Sequence, residues 1–172
     1  MNLRTAAIIA FLFVPAFVSA QVNDRAKYIN YEYKSVLPGK ALPNGVIAMG
    51  GGLIGDVFAD PVYEIAEVKK GKTKMLWFNV STGTDSTGVT GWKVLDVLSF
   101  PALLKTDYIY MTGDPSIECR RKDEEIPNLV GVGRIIPRQG TFKLSKLWVA
   151  NLTTKKFEVT GLTGIKCTYS EP

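Results

Sequence analysis

The side chains that could do chemistry are defined first by one that is missing. The 172 residues contain no histidine. Ser-His-Asp, Cys-His and zinc–imidazole sites all need that ring. The commonest general base near neutral pH goes with it. No Ser-x-x-Lys occurs either, so the serine–lysine alternative lacks its usual spacing. Carboxylates, aromatics and two cysteines remain. Glu64, Glu67, Asp96, Asp107 and Asp114 are the candidate carboxylates, and glycoside hydrolysis needs only two at a suitable separation. Asp96 stands out, because as a strand residue it would share a face with Trp92, Val94, Leu98 and Phe100. Arg134 sits in the same way among Val130, Val132 and Ile136. A charge facing a core needs a partner, so the expectation is a buried Asp96–Arg134 ion pair, with each strand turning this face to solvent at that point as the alternative. Trp77, Trp92 and Trp148, with Tyr108 and Tyr110, form an aromatic set large enough for a sugar-stacking ligand surface. Core packing is the competing role for these rings, and small β cores favour it. No residue set has metal-ligand spacing, and no cofactor is expected.

Two short motifs need context. Gly50–Gly55 reads Gly-Gly-Gly-Leu-Ile-Gly, which matches G-x-G-x-x-G. That pattern cradles a pyrophosphate only between a strand and a helix. Asp56-Val57-Phe58-Ala59-Asp60-Pro61 follows, and cannot open a long helix. The segment is expected as a glycine-rich turn or close backbone packing, with docking on a partner or membrane surface as the alternative. Asp85-Ser86-Thr87-Gly88 approximates the Asp-Ser/Thr-Gly turn of aspartic proteases, but its spacing is off by one and polar residues precede it. A flexible loop is the simpler reading. Asn79-Val80-Ser81 and Asn151-Leu152-Thr153 fit the glycosylation sequon, which matters only in a eukaryotic source.

Compartment comes from the first twenty residues. Arg4 precedes an apolar run over Ala6–Val18, and Val18-Ser19-Ala20 places small side chains before Gln21. This is the order of a cleaved secretory leader, with cleavage expected after Ala20. The run is too short for a membrane span, which takes about 20 residues. Position 21 is Gln rather than a lipid-accepting Cys. Val46–Ala59, the most apolar later segment, holds four glycines and Asp56, so no span is expected after the leader. An exported chain resides in the periplasm or outside the cell. There an even pair of cysteines reads as one disulfide, Cys119–Cys167. Closing a loop of about 50 residues contributes ~4 kcal/mol in the chain-entropy model. The sequence has 21 Lys+Arg against 16 Asp+Glu, a net charge of +5. Arg4 leaves with the leader, so the mature excess is four. That mild bias suits loose contact with polyanionic or glycan surfaces, and there is no dense basic stripe for nucleic acid.

Short strands must position these residues. After a polar lead-in over residues 21–45 with Tyr28, Tyr31 and Tyr33, Val62–Lys69 and Lys74–Ser81 flank Lys70-Gly71-Lys72-Thr73 as a hairpin. Trp92–Phe100 follows as a strand or short helix. Further strands are expected at Tyr108–Thr112, Ser116–Arg121, Asn128–Ile136, Phe142–Ala150, Lys156–Thr160 and Ile165–Ser170. In the fourth of these, Phe142, Leu144, Trp148 and Ala150 should share a face. About eight short strands at turn spacing argue for an all-β antiparallel sandwich or small barrel in one domain over residues 46–172. The lysines at 69, 70, 72, 155 and 156 fall at hairpin tips.

The function expected from these features is that of an exported, non-enzymatic β domain binding a cell-envelope partner. A carbohydrate-binding or carbohydrate-active protein, using the aromatics and a carboxylate pair, is the second reading. An exported inhibitor or immunity-type protein with a plugging loop such as Gly83–Thr90 is the third.

Overall fold

The computed structural model describes residues 25–100 and 102–171. The expected leader and cleavage site lie outside the described residues. Within them the chain is nearly all β, in two antiparallel sheets curled into barrel-like shapes. The strands are β1 (Glu32–Lys34), β2 (Ala41–Leu42), β3 (Val46–Ile54), β4 (Tyr63–Lys70), β5 (Thr73–Thr84), β6 (Thr90–Phe100), β7 (Tyr108–Met111), β8 (Ile117–Arg121), β9 (Glu124–Glu125), β10 (Leu129–Ile136), β11 (Thr141–Asn151), β12 (Lys156–Val159) and β13 (Ile165–Tyr169). Sheet 1 runs β1-β6-β5-β4-β3-β2, and sheet 2 runs β7-β10-β11-β13-β8-β9 with β12 alongside β11. No helix among the described residues is long and apolar enough to cross a membrane.

Alternation decides which face each strand buries. In β4, Tyr63 and Ile65 face sheet 2, while Glu64, Ala66 and Val68 face inward on sheet 1. β5 buries both faces, so it reads as the near-continuous apolar run Met75-Leu76-Trp77-Phe78. Three cores result. Ile54, Ile65, Leu76, Phe78 and Phe100 meet Ile109, Val130, Val132, Ala150 and Phe157 between the sheets. Tyr28, Leu42, Val46, Val68, Trp77 and Val94 fill the curl of sheet 1. Tyr110, Leu129, Phe142 and Leu147 gather around the disulfide in sheet 2. The lead-in is thus part of the domain. It supplies β1 and β2, buries Tyr28, and packs Tyr31 and Tyr33 edge-on against Trp77.

The β4–β5 hairpin forms with Lys70 opposite Thr73. The two-residue turn has Gly71 at φ +58°, the positive φ that hairpin turns require. Two bulges change the expected faces. The β5–β6 register shifts between Phe78 and Asn79, leaving Leu95 unpaired. Trp92 and Val94 therefore point into the curl, whereas Asp96, opposite Phe78, turns with Leu98 and Phe100 toward sheet 2. The β10–β11 register shifts between Val132 and Gly133, skipping Ser145, whose Oγ donates to the Val132 carbonyl at 2.8 Å. One inserted residue flips every later side chain. Phe142 and Leu144 consequently join the disulfide core, and Trp148 and Ala150 join the intersheet core. The single face expected for these four residues is split in two.

Cys119 and Cys167 stand directly opposite each other on β8 and β13 and are bonded, closing a separation of 48 residues. β13 meets β11 through the single register pair Thr141–Thr168. The disulfide therefore lies beside the thinnest seam of sheet 2.

Candidate functional site

The expected Asp96–Arg134 pair does not form. Asp96 is 1% exposed and accepts from Arg25 Nε at 2.6 Å and Arg25 Nη2 at 3.0 Å. It also accepts the backbone N–H groups of Val97 and Phe157, each at 2.8 Å. The physical demand was met, since a buried carboxylate took a bidentate cation and two amides. The partner, however, came from the helical turn at residues 25–28. Arg134 lies on the solvent side of β10 and binds Asp107 at 3.2 Å. Its expected core position fails because Gly133 begins a new register there.

The aromatic set does not make an open platform. Trp77 and Tyr110 are sealed in separate cores, Trp148 packs edge-on against Phe100, and Trp92 is nearly buried. Tyr108 alone of the five is substantially exposed. Its hydroxyl donates to Asp114 at 2.8 Å, and burial, reinforced by Asp114, pushes its pKa up to about 12. The rings went inside because a chain this size fills its cores with its largest apolar side chains.

Trp92 nonetheless lines a concave feature. On the inner face of sheet 1, a cup of about 240 Å³ is bounded by Tyr33, Leu42, Ala48, Val68 and Trp92, with Ser35, Val36 and Pro38 at its rim. Trp92 Nε1 donates to Ser35 Oγ at 2.7 Å, fastening the rim to β6. Glu64 is the carboxylate in this wall. Asn79 Nδ2 donates to Glu64 Oε2 at 3.1 Å and to the Tyr33 hydroxyl at 2.8 Å. Tyr33 also hydrogen-bonds Glu64. Burial raises the Glu64 pKa, with the Asn79 and Tyr33 bonds opposing that rise. Burial and the Glu64 charge hold the Tyr33 hydroxyl far above its ordinary value. Asn79 is fully buried and occupied in this triangle, so its sequon is closed to a glycan. Sequence reasoning counted Glu64 among the carboxylates without singling it out. The available signal was the β4 alternation, which puts Glu64 on the face of Ala66 and Val68.

The Gly50–Gly55 segment is neither turn nor phosphate loop. Its residues 50–54 are the second half of β3, and Gly55 opens an exposed loop rather than a helix. Gly51 permits close strand packing, because a Cβ there would sit 2.7 Å from the Ile65 carbonyl oxygen. β2 and its flanking loop cover the outer edge of β3 only as far as Ala48. Beyond it, no strand among the described residues pairs with that edge. Met49 and Leu53 are exposed on this strand and Val57 and Phe58 in the loop that follows it, Phe58 at 94%. Where the sheets part beside this edge, two adjoining cavities of about 590 and 300 Å³ share Ile54, Thr112 and Gly113. Comparison of the chain with protein-family models, curated proteins and solved structures returns no match.

Proposed function

We propose that the chain is an exported, non-enzymatic binding domain that docks an extended segment of a cell-envelope protein along the outer edge of β3. The supporting observation is the open edge over residues 49–54, flanked by exposed Met49, Leu53, Val57 and Phe58. Edge strands are ordinarily blunted by Lys, Pro or a covering element, yet β3 reads Val-Ile-Ala-Met-Gly-Gly-Gly-Leu-Ile without charge or proline. Unpaired N–H and C=O groups at strand spacing fit another strand, and the adjoining cavities offer pockets for its alternate side chains. Glu125 and Asp114 in the cavity walls favour a segment carrying basic as well as apolar residues. Export rests on the leader, and the non-enzymatic reading on the missing histidine. The carbohydrate reading is less favoured, because four of its five rings are buried or packed against neighbours and only Tyr108 stays open. The loop of the inhibitor reading is a short hairpin tip fastened by Asp85, which accepts from Lys34 at 2.6 Å and from the Val89 amide at 3.1 Å.

The test places a photo-crosslinking residue at position 58 or, as control, at exposed position 166 of the mature chain in envelope extract. The expected result is one discrete heterologous adduct from position 58, lost in Leu53→Asp and missing from position 166. Equal adducts at both positions, an adduct between two copies of the chain, or no adduct would contradict it.

A further inference from the structure

We propose that the cup on the inner face of sheet 1 binds an alkylammonium group, with Glu64 as its counter-ion. Glu64 is half-buried, and none of the ion pairs among the described residues includes it. A carboxylate withdrawn from water calls for a cation or strong donors. Asn79 and Tyr33 supply hydrogen bonds but no charge. Beside Ser35 at the rim and the glycines at 50 and 51, the wall holds Leu42, Val68, Tyr33 and Trp92, side chains that suit a cation on a short hydrocarbon stem.

An ammonium is a compact point charge that a single carboxylate oxygen can hold, whereas a guanidinium is a broad planar fork. The volume of about 240 Å³ falls below the roughly 300–1,000 Å³ of pockets for drug-sized ligands, which suits a small head group. Position 51 keeps the site open. A Cβ there would stand 3.3 Å from Glu64 Oε1, crowding the oxygen that Asn79 leaves alone. A free small amine and the lysine side chain of a protein share this chemistry.

The experiment follows the indole N–H resonance of Trp92 in the mature protein during titration with n-butylamine, N-acetyl-lysine methylamide and n-butanol. Both amines should shift it at millimolar concentration, and butanol should not. A response to butylamine alone assigns the site to free amines, and an equal or stronger response to the lysine amide assigns it to lysine side chains. Glu64→Gln should weaken amine binding at least tenfold. Glu67→Gln should not change it, because Glu67 pairs with Lys74 outside the cup. Folding is checked separately. The Glu64 pKa is raised in the fold, so ionising it opposes folding, and its contribution to stability fades as pH rises through the folded value. Glu64→Gln should therefore melt no lower than the parent at pH 7. Binding of butanol equal to that of butylamine, undiminished amine binding by Glu64→Gln, or no response to either amine would overturn the proposal.

Discussion

Asp96 is the most heavily bonded carboxylate in the molecule's interior. Its four contacts tie the N-terminal turn, β6 and β12 to one point. Removing one partner of a buried, hydrogen-bonded charge pair leaves the other unpaired. Asp96→Ala should therefore cost about 2–4 kcal/mol of unfolding free energy in urea titration. Arg25 is 44% exposed, so water solvates the guanidinium when its partner is lost and screens the pair. Arg25→Ala should cost less, about 1–2 kcal/mol, because Asp96 keeps both amide donors. Equal losses from the two variants would contradict this ranking. The need for a partner could be read from the sequence, since an acidic residue inside an apolar strand must be compensated. The partner itself could not, because Arg25 lies 71 positions away in a polar stretch with no strand periodicity.

At the scale of elements, the strands themselves were largely legible. The 62–81 hairpin, the strands from 108 onward and the Cys119–Cys167 bond follow from alternation, turn residues and compartment. The faces were less legible. Leu95 and Ser145 are ordinary residues whose only distinction is that the ladder skips them. No propensity marks such a position, since a bulge is fixed by the packing on both sides of it. The glycines of β10 carry the physical trace. A Cβ at Gly133 would sit 2.4 Å from the Lys143 carbonyl oxygen and 2.8 Å from Phe142 Cζ, next to the register shift. Backbone cannot yield as a flexible side chain can, so Gly133→Ala should cost about 2–4 kcal/mol. Gly52 has open space where its Cβ would be, and Gly52→Ala should stay within about 0.5 kcal/mol. Chemical denaturation of the two variants checks the contrast. The cup was hidden for a related reason. Its walls come from β1, β2, β3, β4 and β6, and only the curl of the sheet brings them together.

Across the whole molecule, the two sheets share one core, and each keeps a second core inside its own curl. Large apolar side chains are exposed elsewhere too, at Leu37, Leu104 and Val159 among others, but Met49, Leu53, Val57 and Phe58 fall within ten residues at and after one open edge, a cluster that fits a covering partner. Amide hydrogen exchange of residues 21–172, with and without the envelope fraction captured at position 58, tests this most directly. Backbone amides of an unpaired edge exchange quickly and become protected when a strand is added. The account predicts new protection confined to residues 49–58 and the facing loop around residues 112–114, with sheet 2 beyond it unchanged. Protection on sheet 2 alone, or an edge that exchanges at the same rate with and without the partner, would contradict it.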